Sequence, residues 1–510
     1  MRGLARAIKP QIARRTSQAQ DIPAPVGGLN TRDSFATMPA TDAIELTNYI
    51  VESYGVVSRN GYEDFANSLA DDVKSLIPYL EGSAQFFISA SGGELEKVTT
   101  GGVVSSLGSG FSSDLWETVK LGINMVFVNG VDDPRNFDGT NLTTPVFTGD
   151  LSTYGPENID NIHKHRNRVY MWDTDDNKFF YGGTNAVAGS FAEFPLSRVS
   201  DTGGNLVEMK TISQDAGNGP DDYAAFILDT GEVIIYAGSD PGDATNWTLV
   251  GKYKMPPIIG KRCAVEFAGD VLILTKIDLV KLSDVIKFTG ETGGFNVNPS
   301  KLSGAIRDSY NAYQNEGFSI TLYPKGGLIL INIPITSYAS YVQYVINTTT
   351  SGASKFSGWN ANVFAVLGDN LYFGISDTIV KADSGLDDNG VAIELFARQA
   401  FTNLNIATKK KVSNVRLYMA ADGALNIDLA LGYDFSFPNP QGTQTSSVSG
   451  SEWDVAPWDV SSWAGTVTRL ISFVTGGLGI FVGLQTRILI SGQKVNWYAT
   501  TYNFDISKIY

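Results

Sequence analysis

The stretch "NRVYMWDTDDNKFFYGG", residues 167–183, decides the fold. It holds two short β-prone runs, and the Asp-Asp-Asn between them is turn chemistry that tolerates positive φ. The same element recurs as "AQFFISASGGELEKV" from 84, "NMVFVNGVDDPRNFDG" from 124 and "YAAFILDTGEVIIYAG" from 223. It returns as "GDVLILTKIDLVKLS" from 269, "GGLILINIPI" from 326 and "GDNLYFGISDTIVKAD" from 368. Recurrence at ~40 to 50 residues with insertions is the spacing of propeller blades. One such hairpin sheet has two apolar faces and cannot bury both alone, so neighbours stack in a ring. A β-sandwich built of irregular hairpins gives a related pattern. The expectation is an all-β chain with a propeller of six or seven blades over 65–385.

After residue 386 the texture changes. "VSNVRLYMA" and "ALNIDLAL" each alternate apolar and polar residues, and "ADG" at 421–423 reads as the turn of a hairpin between them. A low-complexity stretch, "NPQGTQTSSVSGS", separates them from the closing strands. Residues 386–510 read as a C-terminal β domain, sandwich-like. The run "LISFVTGGLGIFVGL", 470–484, is split by its Gly pair, so nothing reaches the ~18 apolar residues of a membrane helix. Residues 1–64 read as an N-terminal arm and docking segment.

Composition agrees: 43% hydrophobic, 11% aromatic and 53 Gly among 510 residues suit strands and turns, with only 18% charged. A net charge of −15 argues against a protein that neutralises nucleic-acid phosphates. Cys263 is the single cysteine, so no disulfide framework or zinc cluster is expected. The arm carries Arg2, Arg6, Lys9, Arg14 and Arg15 with no acid through residue 20. That composition is shared by transit peptides and by disordered arms that order on a partner.

Catalytic material is thin. His163 and His165 are the only histidines. As alternate residues of a strand they share a face, but a metal site needs a third ligand. Asp132, Asp133, Asn136 and Asp138 resemble a calcium loop without its terminal bidentate acid, and read as a turn. No phosphate loop of the GxxxxGK kind occurs. Lys409, Lys410 and Lys411 form the only dense basic run outside the arm: a solvated strand edge, or a contact with an acidic neighbour. Trp453, Trp458 and Trp463 recur every five residues in "SEWDVAPWDVSSWAG", as a local aromatic core or as interface anchors.

The segment "GGLNTRDSFATMPATDAIELTNYIVESYGVVSRNGY", 27–62, resembles the N-terminal signature of the tail-nozzle, or head-to-tail stabilisation, proteins of short-tailed bacteriophages. The matching residues are Gly27 to Asn30 (with Leu29), Arg32, Asp33, Met38, Pro39, Asp42 to Asn48, and Arg59 to Tyr62. "EWDVAPWDVSSW" and the closing strands are similar to that family's C-terminal segment. Ser34 departs from the family, which often has Pro there. The resemblance implies a hexameric ring around the DNA channel, a propeller in each subunit, an adaptor or portal ring above, and no catalysis or cofactor. Tail-fibre or tail-tip proteins would lie beyond, touching the host surface indirectly, with double-stranded DNA passing without specific binding. The expected setting is a virion tail assembled in the host cytoplasm. Docking candidates are the five arm cations with Leu29, Asn30, Arg32 and Asp33; subunit-contact candidates are Lys409 to Lys411 and the three tryptophans. The alternatives are a receptor- or carbohydrate-binding propeller at the tail tip and, beyond that, a propeller glycosidase.

Overall fold

The computed structural model describes residues 17–215, 220–288, 299–438, 443–446 and 467–506. Seven strands surround one axis: Ser75–Glu81, Glu117–Leu121, Asn161–His165, Leu206–Asp215, Ala264–Phe267, Ser319–Tyr323 and Val363–Leu367. From each, partners step outward, antiparallel except for Phe147–Gly149, which pairs parallel with Gly189–Pro195. The recurrent stretches read from the sequence fall on the second and third strands of such units, as in Arg168–Trp172 with Lys178–Thr184, except that from 326, which covers only the second strand, Leu328–Thr336. Six units are sheets of their own. The unit sixth in chain order, Ser319–Tyr323 to Ala353–Phe356, stands in the ring but continues into a ten-stranded sheet through Thr47 and Lys355.

Apolar clusters sit between successive blades, as stacking requires. Val126, Met171 and Phe191 fill the gap between the second and third, and Phe179, Phe226 and Trp247 that between the third and fourth. The ring closes with a strand from upstream: Tyr62–Ala66 pairs with Thr378–Ala382 as the outer strand of the last blade.

The second domain is a sandwich. One sheet holds Val467–Val474, Lys410–Ala421, Val495–Ile506, Ser17–Pro23, Gly55–Ser58 and Tyr49–Glu52. The facing part of the ten-stranded sheet holds Asp42–Thr47, Ile393–Gln399, Val482–Ile490 and Leu425–Tyr433. Val415, Leu417 and Met419 meet Ile427, Leu429 and Leu484 in a core continuous with the fourth to sixth blades.

Two expectations change. Residues 1–64 are not a separate docking segment where they are described. Strands between Ser17 and Ser58 belong to the sandwich, and Tyr62–Ala66 belongs to the propeller. Nor does "ADG" close a hairpin: Lys410–Ala421 and Leu425–Tyr433 lie in opposite sheets. Each strand has one apolar face. Crossing between sheets sets those faces against one another across the sandwich core.

Candidate functional site

The Gly-Gly-Leu-Asn-x-Arg-Asp stretch folds into a knot between the domains. Gly28 takes φ 77°, and a Cβ there would stand 2.5 Å from the Ala353 nitrogen. Asn30 is 1% exposed. Its Nδ2 donates to Asp33 Oδ2 at 2.9 Å and to Asp42 Oδ2 at 2.7 Å, and its Oδ1 accepts from the Arg32 and Asp33 backbone N–H groups, both at 3.1 Å. Lys301 Nζ completes the knot, reaching Asp42 Oδ1 and the Gly27 carbonyl, both at 2.9 Å. Thr31 Oγ1 accepts from the N–H of Ala305 in the helix Ser303–Tyr313, and Gly304 leaves room for the Thr31 carbonyl. Arg32 bonds Asp33 and the Pro299 carbonyl, and holds the Asp33 carboxyl down to about 2 together with Asn30.

This corrects the docking assignment for two residues. Leu29 and Asn30 are buried and face their own chain, while Arg32 keeps a half-exposed head. The other end of the motif is also internal: Arg59 is fully buried against Asn48, Ser357 and Asp388.

A second polar cluster occupies the propeller axis. Arg262, at φ 71°, points its guanidinium at Glu117, the carbonyls of Lys74 and Trp116, and Ser75 Oγ. Lys261 bonds Asp160 at 3.1 Å. Beside them Lys210 faces Glu208 at 3.1 Å. Burial raises the Glu208 pKa, with Lys210 offsetting part of it. Burial would lower that of Lys210, but Glu208, Glu266 and Glu117 outweigh it. A cavity of about 310 Å³ lies alongside, walled by Trp116, Glu117, Arg262 and Tyr338. The named charges are matched to one another, so the cluster acts as a polar crosslink among inner strands. The sequence carried no signal for the pairings of Arg262 and Lys261, because the partners are far apart in the chain; Lys301 and Asp388 were missed for the same reason.

His163 and His165 do share a site, both at Thr211 Oγ1, and His165 Nε2 also meets the Gly238 carbonyl at 3.1 Å. Burial drives both toward the neutral form, His165 to about 4. Among the described residues no three His, Cys, Asp or Glu gather as a metal set. Asp138 accepts the backbone N–H groups of Thr140 and Asn141 within its own loop, as turn residues do, whereas Asp132 accepts that of Ser112, twenty residues upstream. Cys263 is buried, its thiol pushed up by that burial. Lys409 and Lys411 are exposed, but Lys410 is 1% exposed and donates to the carbonyls of Ile406 and Ile480. Lys410 is therefore no contact residue. Arg2, Arg6, Lys9, Arg14, Arg15, Trp453, Trp458 and Trp463 lie outside the described residues.

No family model and no curated protein sequence matches the chain. Solved structures do resemble it. A streptogramin B lyase superposes with TM-score 0.40 at 11% identity, covering 63% of this chain and 97% of its own. The computationally designed Ika8 protein gives 0.35 at 13%, covering 66% and 95%. A putative 6-phosphogluconolactonase from Bacteroides fragilis gives 0.35 at 14%, covering 65% and 91%. Likeness at this level concerns the fold and carries no reading of activity.

Proposed function

We propose that this chain is a structural subunit of a short-tailed phage tail, a nozzle or hub ring that extends the portal-adaptor channel, retains packaged DNA and conducts it at ejection. One observation carries the proposal. Residues of the resemblance, among them Asn30, Asp42, Asn48, Arg59 and Tyr62, converge on the junction of propeller and sandwich. Their polar groups are spent on binding two domains into one body, which suits a subunit that transmits load rather than one that turns over a substrate. The charge of −15 supports the same reading, because an acidic wall repels a duplex that must slide. The arm cations then serve the adaptor contact, and Lys409 and Lys411 a neighbouring subunit.

Electron microscopy of the purified chain with its adaptor tests this. The expected result is a closed ring on the tail axis, with no measurable duplex affinity at moderate salt. A chain absent from tails, or one that clamps duplex tightly, overturns the reading.

A further inference from the structure

A sheet ends in a strand whose outer N–H and C=O groups are open, and folded proteins blunt such edges. In this molecule the propeller's outer strands are blunted one by one. The second blade ends in the two-residue Leu142–Thr143 and the fifth in the three-residue Leu279–Lys281. The first ends in Val104–Ser109, with a register break between Ser106 and Gly108. The fourth ends in Trp247–Lys254, which carries Lys252 and Lys254 and a further break. Phe147–Gly149 covers the third, and Thr47 joins the sixth. The last ends in Tyr62–Ala66, with Glu63, Asp64 and a break opposite Ile379.

Two edges of the sandwich are left long and regular. Ser17–Pro23 pairs along Val495–Ile506 for seven residues, and Val467–Val474 along Lys410–Ala421 for eight, neither with a register break. Among the described residues each has its second side unpaired, and the two lie at opposite ends of one sheet.

We infer that these strands are the two halves of one subunit contact: Ser17–Pro23 of one copy pairs antiparallel with Val467–Val474 of the next, carrying the sheet from subunit to subunit. The inference rests on the ring reading above and names the surface that builds the ring. Direction follows from the sheet. Ser17–Pro23 runs with Lys410–Ala421, and Val467–Val474 runs against it. Copies related by rotation about an axis along the strands therefore meet antiparallel. Because the halves differ, the contact is head-to-tail, which builds a closed ring or an open filament rather than a two-fold dimer, and the ring reading selects closure. Seven and eight residues match in length, and added-strand pairing draws affinity from the backbone without needing an apolar patch.

The side-chain faces set the test. Ile22 is buried in the sandwich core, so Ser17 and Ala19 lie on the outer face; Ile471 and Phe473 are buried, so Ser472 and Val474 do too. Full overlap sets Ala19 against Ser472 and Ser17 against Val474. The full-length double variant Ala19→Cys/Ser472→Cys, or Ser17→Cys/Val474→Cys, should give a covalent ladder under mild oxidation. Each single variant should give none, and the two singles mixed should stop at dimers. Background is low because Cys263 is buried. Light scattering reads the ring separately. A ring without a ladder in either double variant overturns the edge pairing alone. A chain monomeric at high concentration and absent from tail rings overturns the ring reading as well.

Discussion

Arg59 and Asp388 face each other as a bidentate pair, with Nη1 2.7 Å from Oδ1 and Nη2 2.6 Å from Oδ2, 329 residues apart in the chain. The remaining guanidinium hydrogens go to Asn48 Oδ1 and to the carbonyls of Asn60 and Ser357, and the group lies 5.1 Å from the Trp359 ring centroid. All five donors are thus used in a buried site, the condition under which a buried ion pair can hold. Asp388→Ala should cost about 3 to 5 kcal/mol because it strands the cation. The double variant Arg59→Met/Asp388→Ala should cost clearly less than the sum of Arg59→Met and Asp388→Ala. Urea unfolding of the four proteins measures the coupling, and additive losses would refute it.

Gly61, two residues on, is held by space. A Cβ there would stand 1.6 Å from the Asp387 carbonyl oxygen, where the backbone of Ser384 and Tyr62 also knits the last blade shut. Gly61→Ala should therefore cost about 3 kcal/mol or more through backbone displacement. Gly390, at φ 87° with open space around it, is the control: Gly390→Ala should cost only about 1 to 2 kcal/mol of left-handed strain. Equal losses in thermal melts would show that the closure tolerates the methyl group.

The propeller was legible because its signal is local. Turn residues fall between β-prone runs at blade spacing, and each such hairpin reports one blade. The sandwich was only half legible. The alternation in "VSNVRLYMA" gives a strand with one apolar face, but no local feature says whether the next strand lies beside it or opposite it. The Asn30 knot and the axial Arg262 cluster were illegible as geometry, since Lys301 and Glu117 are remote in sequence from their partners. The same motif residues then looked like a docking surface, because conspicuous polar groups in a flexible-looking stretch give no hint that they are buried.

His165 makes acid a selective stress. Its folded pKa, about 4, lies below the unfolded value because burial disfavours the cation. A depressed pKa means that stability is fully present above the unfolded value of about 6.5 and drains away as pH falls toward 4. The span corresponds to on the order of 3 kcal/mol. His163 adds in the same direction. His165→Gln should therefore flatten the fall in stability between pH 6.5 and 4 relative to the parent, whatever its effect at neutral pH. Denaturation midpoints at pH 7, 5.5 and 4.5 measure this, and parallel curves would remove His165 as the cause.

The Asn30 knot yields the sharpest contrast between two substitutions. Its amide nitrogen stands between the carboxylates of Asp33 and Asp42, 2.9 and 2.7 Å away, and its oxygen takes two backbone hydrogens. Asn30→Ala removes all four bonds and leaves Asp42, 1% exposed, supported by Lys301. Unmet buried groups at ~1 to 3 kcal/mol each set a loss of about 2 to 3 kcal/mol. Asn30→Asp keeps the shape and the accepting oxygen but puts a third carboxylate where a donor was. At pH 7 repulsion and desolvation add to the lost bonds, so this nearly isosteric change should be the more damaging, by about 3 to 5 kcal/mol. The introduced carboxyl would have a folded pKa raised above its unfolded value. Its penalty is therefore present at neutral pH and fades as pH falls through that raised value. Measured against the parent at each pH, Asn30→Asp should recover toward pH 4.5, while Asn30→Ala should not. If Asn30→Asp is the milder variant at pH 7, or both keep a constant gap to the parent, the amide is not the donor that holds these two acids together.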